Sequence, residues 1–117
     1  MTTSDRLATG WETVDDEQCR RATSIMELVG RRWSSGILLA VGRGATRFSE
    51  IVATVQGLSD RMLAVRLKEL EHGGLIDRTV EPTVPVTVRY RLSARGRDLL
   101  ASLQPLQEYG QRWEPRA

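Results

Sequence analysis

The stretch from Ser59 to Leu92 constrains the chain more than any other: a capped amphipathic helix runs through two glycines into a two-stranded ribbon. Ser59 suits an N-cap, because its hydroxyl can accept an orphan amide at the helix start. Leu63, Leu67 and Leu70 follow at i, i+4 and i+7 and form one apolar stripe, while Arg61, Val65, Lys68 and His72 fall on the opposite side. Gly73-Gly74 ends the helix, since glycine takes the left-handed conformation beyond a C-cap without steric cost. Leu75 to Val80 then reads as a strand. Glu81 to Val86 is predicted as a wing loop, because Pro82 and Pro85 would remove ladder donors from a central strand. From Thr87 to Leu92 the alternation is strict, with Val88, Tyr90 and Leu92 expected to face in and Arg89 and Arg91 out. A short helix with a free basic face, backed by a hairpin, is a shape that enters the DNA major groove.

The flanking segments supply helices. Asp15 with Gln18 three residues later makes a capping-box pattern, and the helix it opens carries Cys19, Ala22, Met26 and Val29 on one face as far as Gly30. A second helix is predicted from near Trp33, with Ile37, Leu38 and Val41, and a third over about Phe48 to Val55. Gly57-Leu58 turns from the third helix into the Ser59 helix, which makes a helix-turn-helix. Ser93 caps a last helix in which Leu99, Leu103, Leu106, Gly110 and Trp113 sit at alternating four- and three-residue spacing, flanked by Leu100 and Tyr109. That seam is longer than one small domain needs for itself and calls for a partner helix. Pro105 is expected to kink it. The predicted fold class is therefore α+β, mainly α: a winged helix-turn-helix with added N- and C-terminal dimerisation helices, over residues 15–117, after a loose arm at 1–14.

A chain of 117 residues forms one domain and buries a core without staples. Its single cysteine excludes an intramolecular disulfide framework. No apolar run approaches the roughly 20 residues of a membrane span, so no membrane partner is expected. Met1 to Gly10 lacks the apolar stretch of a signal peptide, which makes a cytoplasmic location the expectation. The net charge of +2 says little about partners, but residues 1–58 hold seven basic and seven acidic residues while 59–97 hold eight and five. There is no phosphate-binding glycine loop, no metal-spaced His and Cys cluster and no Ser/His/Asp set, so neither an enzyme nor a cofactor is expected.

In order and spacing, the chain resembles the HxlR-type, MarR-like winged-helix transcription regulators of bacteria over roughly residues 17–113. The residues that carry the resemblance are Cys19 ahead of Met26-Glu27-Leu28-Val29-Gly30, Arg32-Trp33, Arg47-Phe48-Ser49-Glu50-Ile51 and Leu58-Ser59 through Glu71. Gly74-Leu75-Ile76-Asp77-Arg78 and Val84-Pro85 with Val88-Arg89-Tyr90-Arg91-Leu92-Ser93 complete the set. The resemblance implies a homodimer, built through its first and last helices, that binds an operator with two symmetry-related winged helices; taken with the residues above, the expected role is a regulator that represses a nearby gene from a pseudo-palindromic operator. The resemblance also implies a dimer interface containing Cys19, Ala22, Met26, Leu99, Leu103, Leu106, Tyr109 and Trp113. The chain departs from the family in its wing. Val86 and Thr87 stand where a basic residue is common, and Arg89 stands where an acid is frequent. That departure moves the expected phosphate contacts from the wing tip to Arg89 and Arg91.

On the Ser59 helix the groove-facing set is Ser59, Arg61, Ala64, Val65 and Lys68. Arg61 and Lys68 can reach guanine edges or phosphate, and Ala64 and Val65 can pack on a thymine methyl. The plainer alternative is a solvated helix face. Arg66 points towards the flank of the apolar stripe and suits a structural ion pair. Arg47 and Ser49 stand at the start of the third helix, where free amides favour a phosphate, with helix capping alone as the alternative. Arg78, Arg89 and Arg91 are candidate phosphate clamps on the ribbon. His72 suits a solvated partner of the helix C-terminus. Cys19 lies early in its helix beside Arg20 and Arg21, which favour a thiolate, and after Asp15, Asp16 and Glu17, which oppose one. In some members of the family a cysteine here senses oxidants or electrophiles, which implies a small electrophile or oxidant as effector. The alternative is a small packing residue. For the chain as a whole, the rival to a DNA-binding regulator is a winged helix that serves protein–protein interaction without DNA.

Overall fold

Helix α1, Asp16–Gly30, starts where an acid-rich turn supplies its own cap. The Asp15 carboxylate accepts the Gln18 amide at 2.7 Å, and the Gln18 side chain accepts the Asp15 amide at 2.9 Å. The computed structural model describes residues 13–114. The arm expected over 1–14 therefore lies almost wholly outside the described residues. The chain divides into two compact units at Arg31/Arg32, and α1 belongs to the first. None of its residues is fully buried, and Cys19, Ala22 and Met26 are exposed.

The second unit is a winged helix-turn-helix. It is built from α2 (Ser34–Gly42), α3 (Phe48–Thr54), α4 (Asp60–His72), β1 (Ile76–Glu81), β2 (Thr87–Leu92), α5 (Ala94–Ser102) and α6 (Gln104–Trp113). Helix α2 is apolar around most of its circumference because it is central, packed against α3, α4, α5 and β2. Ile37, Leu38, Ala40 and Val41 from α2 meet Ile51, Leu58, Leu63, Leu67, Leu70, Leu75, Ile76 and Leu92 in one core. At about 1.5–3 kcal/mol for each large aliphatic side chain buried, this core outweighs any surface contact in the unit.

Three local features hold the unit's shape. Trp33, the residue before α2, has φ +80°, a left-handed conformation that the sequence does not announce. Its ring stacks under the Arg32 guanidinium, 4.7 Å from centroid to carbon, and lies against Gly57 in the turn between α3 and α4. At the C-terminal end of α4, Gly74 takes φ +77° and turns the chain into β1. The strands pair antiparallel with Ile76 opposite Leu92, Asp77 opposite Arg91 and Glu81 opposite Thr87. The far edge of β2 is held by the Tyr90 amide, which donates to the Thr46 carbonyl at 2.7 Å. The last helix is not the kinked single element expected. It breaks at Leu103, and Pro105, which has no amide to donate, stands in the first turn of α6. Among the described residues, no helix is long and apolar enough to cross a membrane.

Candidate nucleic-acid interface

The Ser59 hydroxyl accepts the Met62 amide at 3.1 Å, so α4 starts where its cap predicts. Leu63, Leu67 and Leu70 are buried beneath the helix. Ser59, Arg61, Ala64, Val65 and Lys68 are all exposed, and His72 is exposed at its end. Arg66 leaves this face. Its Nε donates to the Arg32 carbonyl and its Nη1 pairs with Glu69, both at 2.8 Å, which makes it the structural residue expected.

Between α3, α4 and the ribbon lies a cleft of about 250 Å³ lined by Phe48, Ala64, Leu67, Lys68, Glu71, Arg78 and Tyr90. The cleft brings Ala64 and Lys68 of the helix together with Arg78 of the ribbon. Among the described residues, no ion pair or hydrogen bond engages the side chains of Arg61, Lys68, Arg78 or Arg91. These four cations are available to a polyanion.

Arg89 corrects the sequence-based expectation. Alternation along β2 places it outward beside Arg91, yet its guanidinium folds back onto the protein. Nε pairs with Glu81 at 2.8 Å and Nη1 donates to the Thr46 hydroxyl at 2.9 Å, leaving the Arg89 side chain 25% exposed. Two of its three nitrogens are thus occupied, and it is not the open phosphate clamp expected.

The start of α3 carries a carboxylate of its own. Arg47 and Ser49 are exposed there, but the amides of Thr46 and Arg47 donate to Glu50 Oε1 at 3.2 and 2.8 Å. Those bonds, the one from Arg47 first, hold the Glu50 carboxyl below the usual glutamate range, helped by the positive charges of Arg47 and Arg89. Sequence reasoning missed Glu50 as a cap because Arg47 is no capping residue. The signal it passed over was a glutamate three residues into a helix.

Cys19 is exposed in the first turns of α1, and its amide donates to the Asp15 carbonyl at 2.9 Å. Of the two neighbouring arginines, Arg21 is paired with Glu17.

The HxlR-like helix-turn-helix family profile matches residues 28–117. The chain belongs to that family. One relative, the HTH-type transcriptional regulator YodB of Bacillus subtilis, is 40% identical over 91 residues, spanning 78% of this chain and 81% of YodB. The fold agrees with the solved structure of the reduced form of YodB at a TM-score of 0.76 and 35% identity, over 90% of this chain and all of that one. It also agrees with the redox regulator HypR in its oxidised form, at 0.71 and 28% identity, over 79% of this chain and 95% of that one. The HxlR-like fold and these relatives make this chain a transcription regulator of the HxlR/MarR type, with a DNA-binding helix-turn-helix in α3 and α4.

Proposed function

We propose that this chain is a dimeric repressor that reads a pseudo-palindromic operator and releases it when Cys19 is modified by an oxidant or electrophile. It acts in the cytoplasm, without cofactor or metal and without catalysis. The observation that carries the reading is the exposed face of α4, continuous through one cleft with the unpaired Arg78 of the ribbon. Ser59, Arg61, Ala64, Val65 and Lys68 enter the major groove, while Arg78 and Arg91 hold phosphate. Two such heads about 34 Å apart would meet successive major grooves on one side of the duplex. The exposed apolar residues of α1 and α6 support a dimer built on those helices.

An exposed Cys19 in the first turns of α1 supports the sensing role, as do relatives described as a diamide-treated regulator and an oxidised redox regulator. Diamide takes two electrons and two protons from two thiols, leaving a disulfide and the corresponding hydrazine. With one cysteine per chain, the second thiol comes from the other subunit's Cys19 or from a small thiol.

The test is binding to the gene's own upstream DNA, titrated in salt, with and without diamide, for wild type and Cys19→Ser. The expected result is sequence-selective binding that weakens steeply with salt and is lost on oxidation only in wild type. Absence of binding to any duplex at low salt would leave the fold a protein-interaction module. Oxidant-insensitive binding by wild type would leave Cys19 without a sensing role.

A further inference from the structure

We propose that Arg89 is a positioning residue for DNA binding: it ties the wing to the start of α3 and so sets how Arg78 and Arg91 meet the duplex. The inference rests on the reading of α4 and the ribbon as the DNA surface. A two-stranded ribbon alone is only marginally stable and free to twist, so its orientation depends on what anchors it. Register places Thr79 opposite Arg89 and Thr87 opposite Glu81, so the Arg89–Glu81 pair runs diagonally across the hairpin and joins its two strands. From the same guanidinium, Nη1 reaches the Thr46 hydroxyl 43 positions earlier, two residues before α3. The neighbouring Tyr90 amide bonds to the Thr46 carbonyl, and the Thr46 amide bonds in turn to Glu50 within α3. Glu81, Arg89, Thr46 and Glu50 therefore form a continuous brace from the wing to the helix-turn-helix. The wing tip beyond it carries an Oγ1–Oγ1 contact between Thr83 and Thr87, and Val84 is fully exposed. Arg91, two residues on, keeps the free guanidinium that a phosphate ligand needs.

A positioning role and a direct phosphate-binding role predict opposite outcomes at Glu81. If Arg89 binds phosphate, removing the nearby acid frees its guanidinium and tightens DNA binding. If Arg89 braces the wing, removing the acid loosens the brace and weakens binding, although the protein becomes more positive. The experiment measures operator affinity against salt for full-length wild type, Arg89→Met, Glu81→Ala, Thr46→Val and Arg91→Gln. Amide hydrogen exchange at Tyr90 is followed in the same proteins. We expect Arg89→Met and Glu81→Ala each to weaken operator binding about threefold to tenfold, the size of one ordinary net hydrogen bond. The salt slope should stay at its wild-type value, whereas Arg91→Gln should flatten it by about 0.9 for each phosphate that Arg91 neutralises in the wild-type complex. Tyr90 exchange should accelerate in Arg89→Met and Thr46→Val, while the α4 amides keep their protection.

Tighter or unchanged binding by Glu81→Ala, or a slope flattened by Arg89→Met as much as by Arg91→Gln, overturns the proposal. If wild type binds no duplex, the DNA-binding reading falls instead. Tyr90 exchange then still decides the brace, and unchanged exchange in Arg89→Met would end it.

Discussion

The Arg66 guanidinium, on the flank of α4, donates from Nε to the main-chain carbonyl of Arg32, 34 positions earlier, at 2.8 Å. Its Nη1 is held by Glu69 from the same helix, and the Arg66 side chain is only 16% exposed. This ties α4 to the segment that leads into α2, next to the left-handed Trp33. A basic residue on a DNA-binding helix thus spends its charge on architecture.

Arg66→Met keeps the aliphatic stem and removes both bonds. It should cost about 1–2 kcal/mol of stability, because the Arg32 carbonyl and the Glu69 carboxylate each lose one donor. Urea unfolding measures that loss. The salt dependence of operator binding should stay at its wild-type slope, and a flatter slope would place Arg66 on phosphate after all.

Gly96 lies in the first turn of α5, against the Leu75 backbone just ahead of β1. A Cβ added there would sit 2.1 Å from the Leu75 carbonyl oxygen, the same oxygen that accepts the Ser93 amide at 3.0 Å. Backbone cannot swing aside as a side-chain tip can, so Gly96→Ala must push α5 off the ribbon. The expected cost is at least about 2 kcal/mol, read as a lower urea midpoint. A variant as stable as wild type would show that α5 packs less closely on Leu75.

The Glu50 cap makes a prediction about pH. Its carboxyl is held below the usual range chiefly by the Arg47 amide, so the charged form is favoured in the folded state. Such a group adds stability at pH values above its unfolded pKa and loses it as pH falls towards the folded one. Wild type should therefore melt at a higher temperature than Glu50→Gln at neutral pH. The gap should close as the buffer is taken below the ordinary glutamate range. A gap that is constant across that range would mean the charge contributes nothing to the cap.

Elements governed by local chemistry are legible in the sequence. Ser59, Asp15 with Gln18, and the Leu63/Leu67/Leu70 stripe each state a helix start or a buried face in a few residues, and all are found where expected. The alternation from Thr87 to Leu92 locates β2 to the residue. It misplaces the Arg89 side chain, because alternation reports which side of a ribbon a residue leaves from and not what waits there. Thr46 and Glu81 are brought to Arg89 by tertiary structure. The left-handed Trp33 is hidden for a related reason: its ring lies against Gly57, 24 positions away, and nothing in the local sequence marks that approach. Pro105 suggests a kink where the chain in fact starts a new helix, a choice that depends on how α5 ends.

Helix α6 carries the final prediction. Leu106, Tyr109 and Trp113 fall at i, i+3 and i+7 on one face, and Leu106 and Trp113 are 63% and 67% exposed. Three large apolar side chains left in water on one short helix are what a subunit interface would bury, at about 1.5–3 kcal/mol each. Replacing Leu106 and Trp113 together by glutamate places two like charges in that interface and should yield a monomer by sedimentation, with the winged-helix core still folding cooperatively. The monomer should bind a single half-site as wild type does, since α4 and the ribbon are untouched. Its affinity for the full operator should fall by at least about 100-fold, because the second head no longer binds at high effective concentration. The salt slope on that operator should halve together with the number of phosphates neutralised. A double variant that stays dimeric would move the interface away from α6. A monomer with undiminished operator affinity would instead show that one head suffices, and the pseudo-palindrome would lose its purpose.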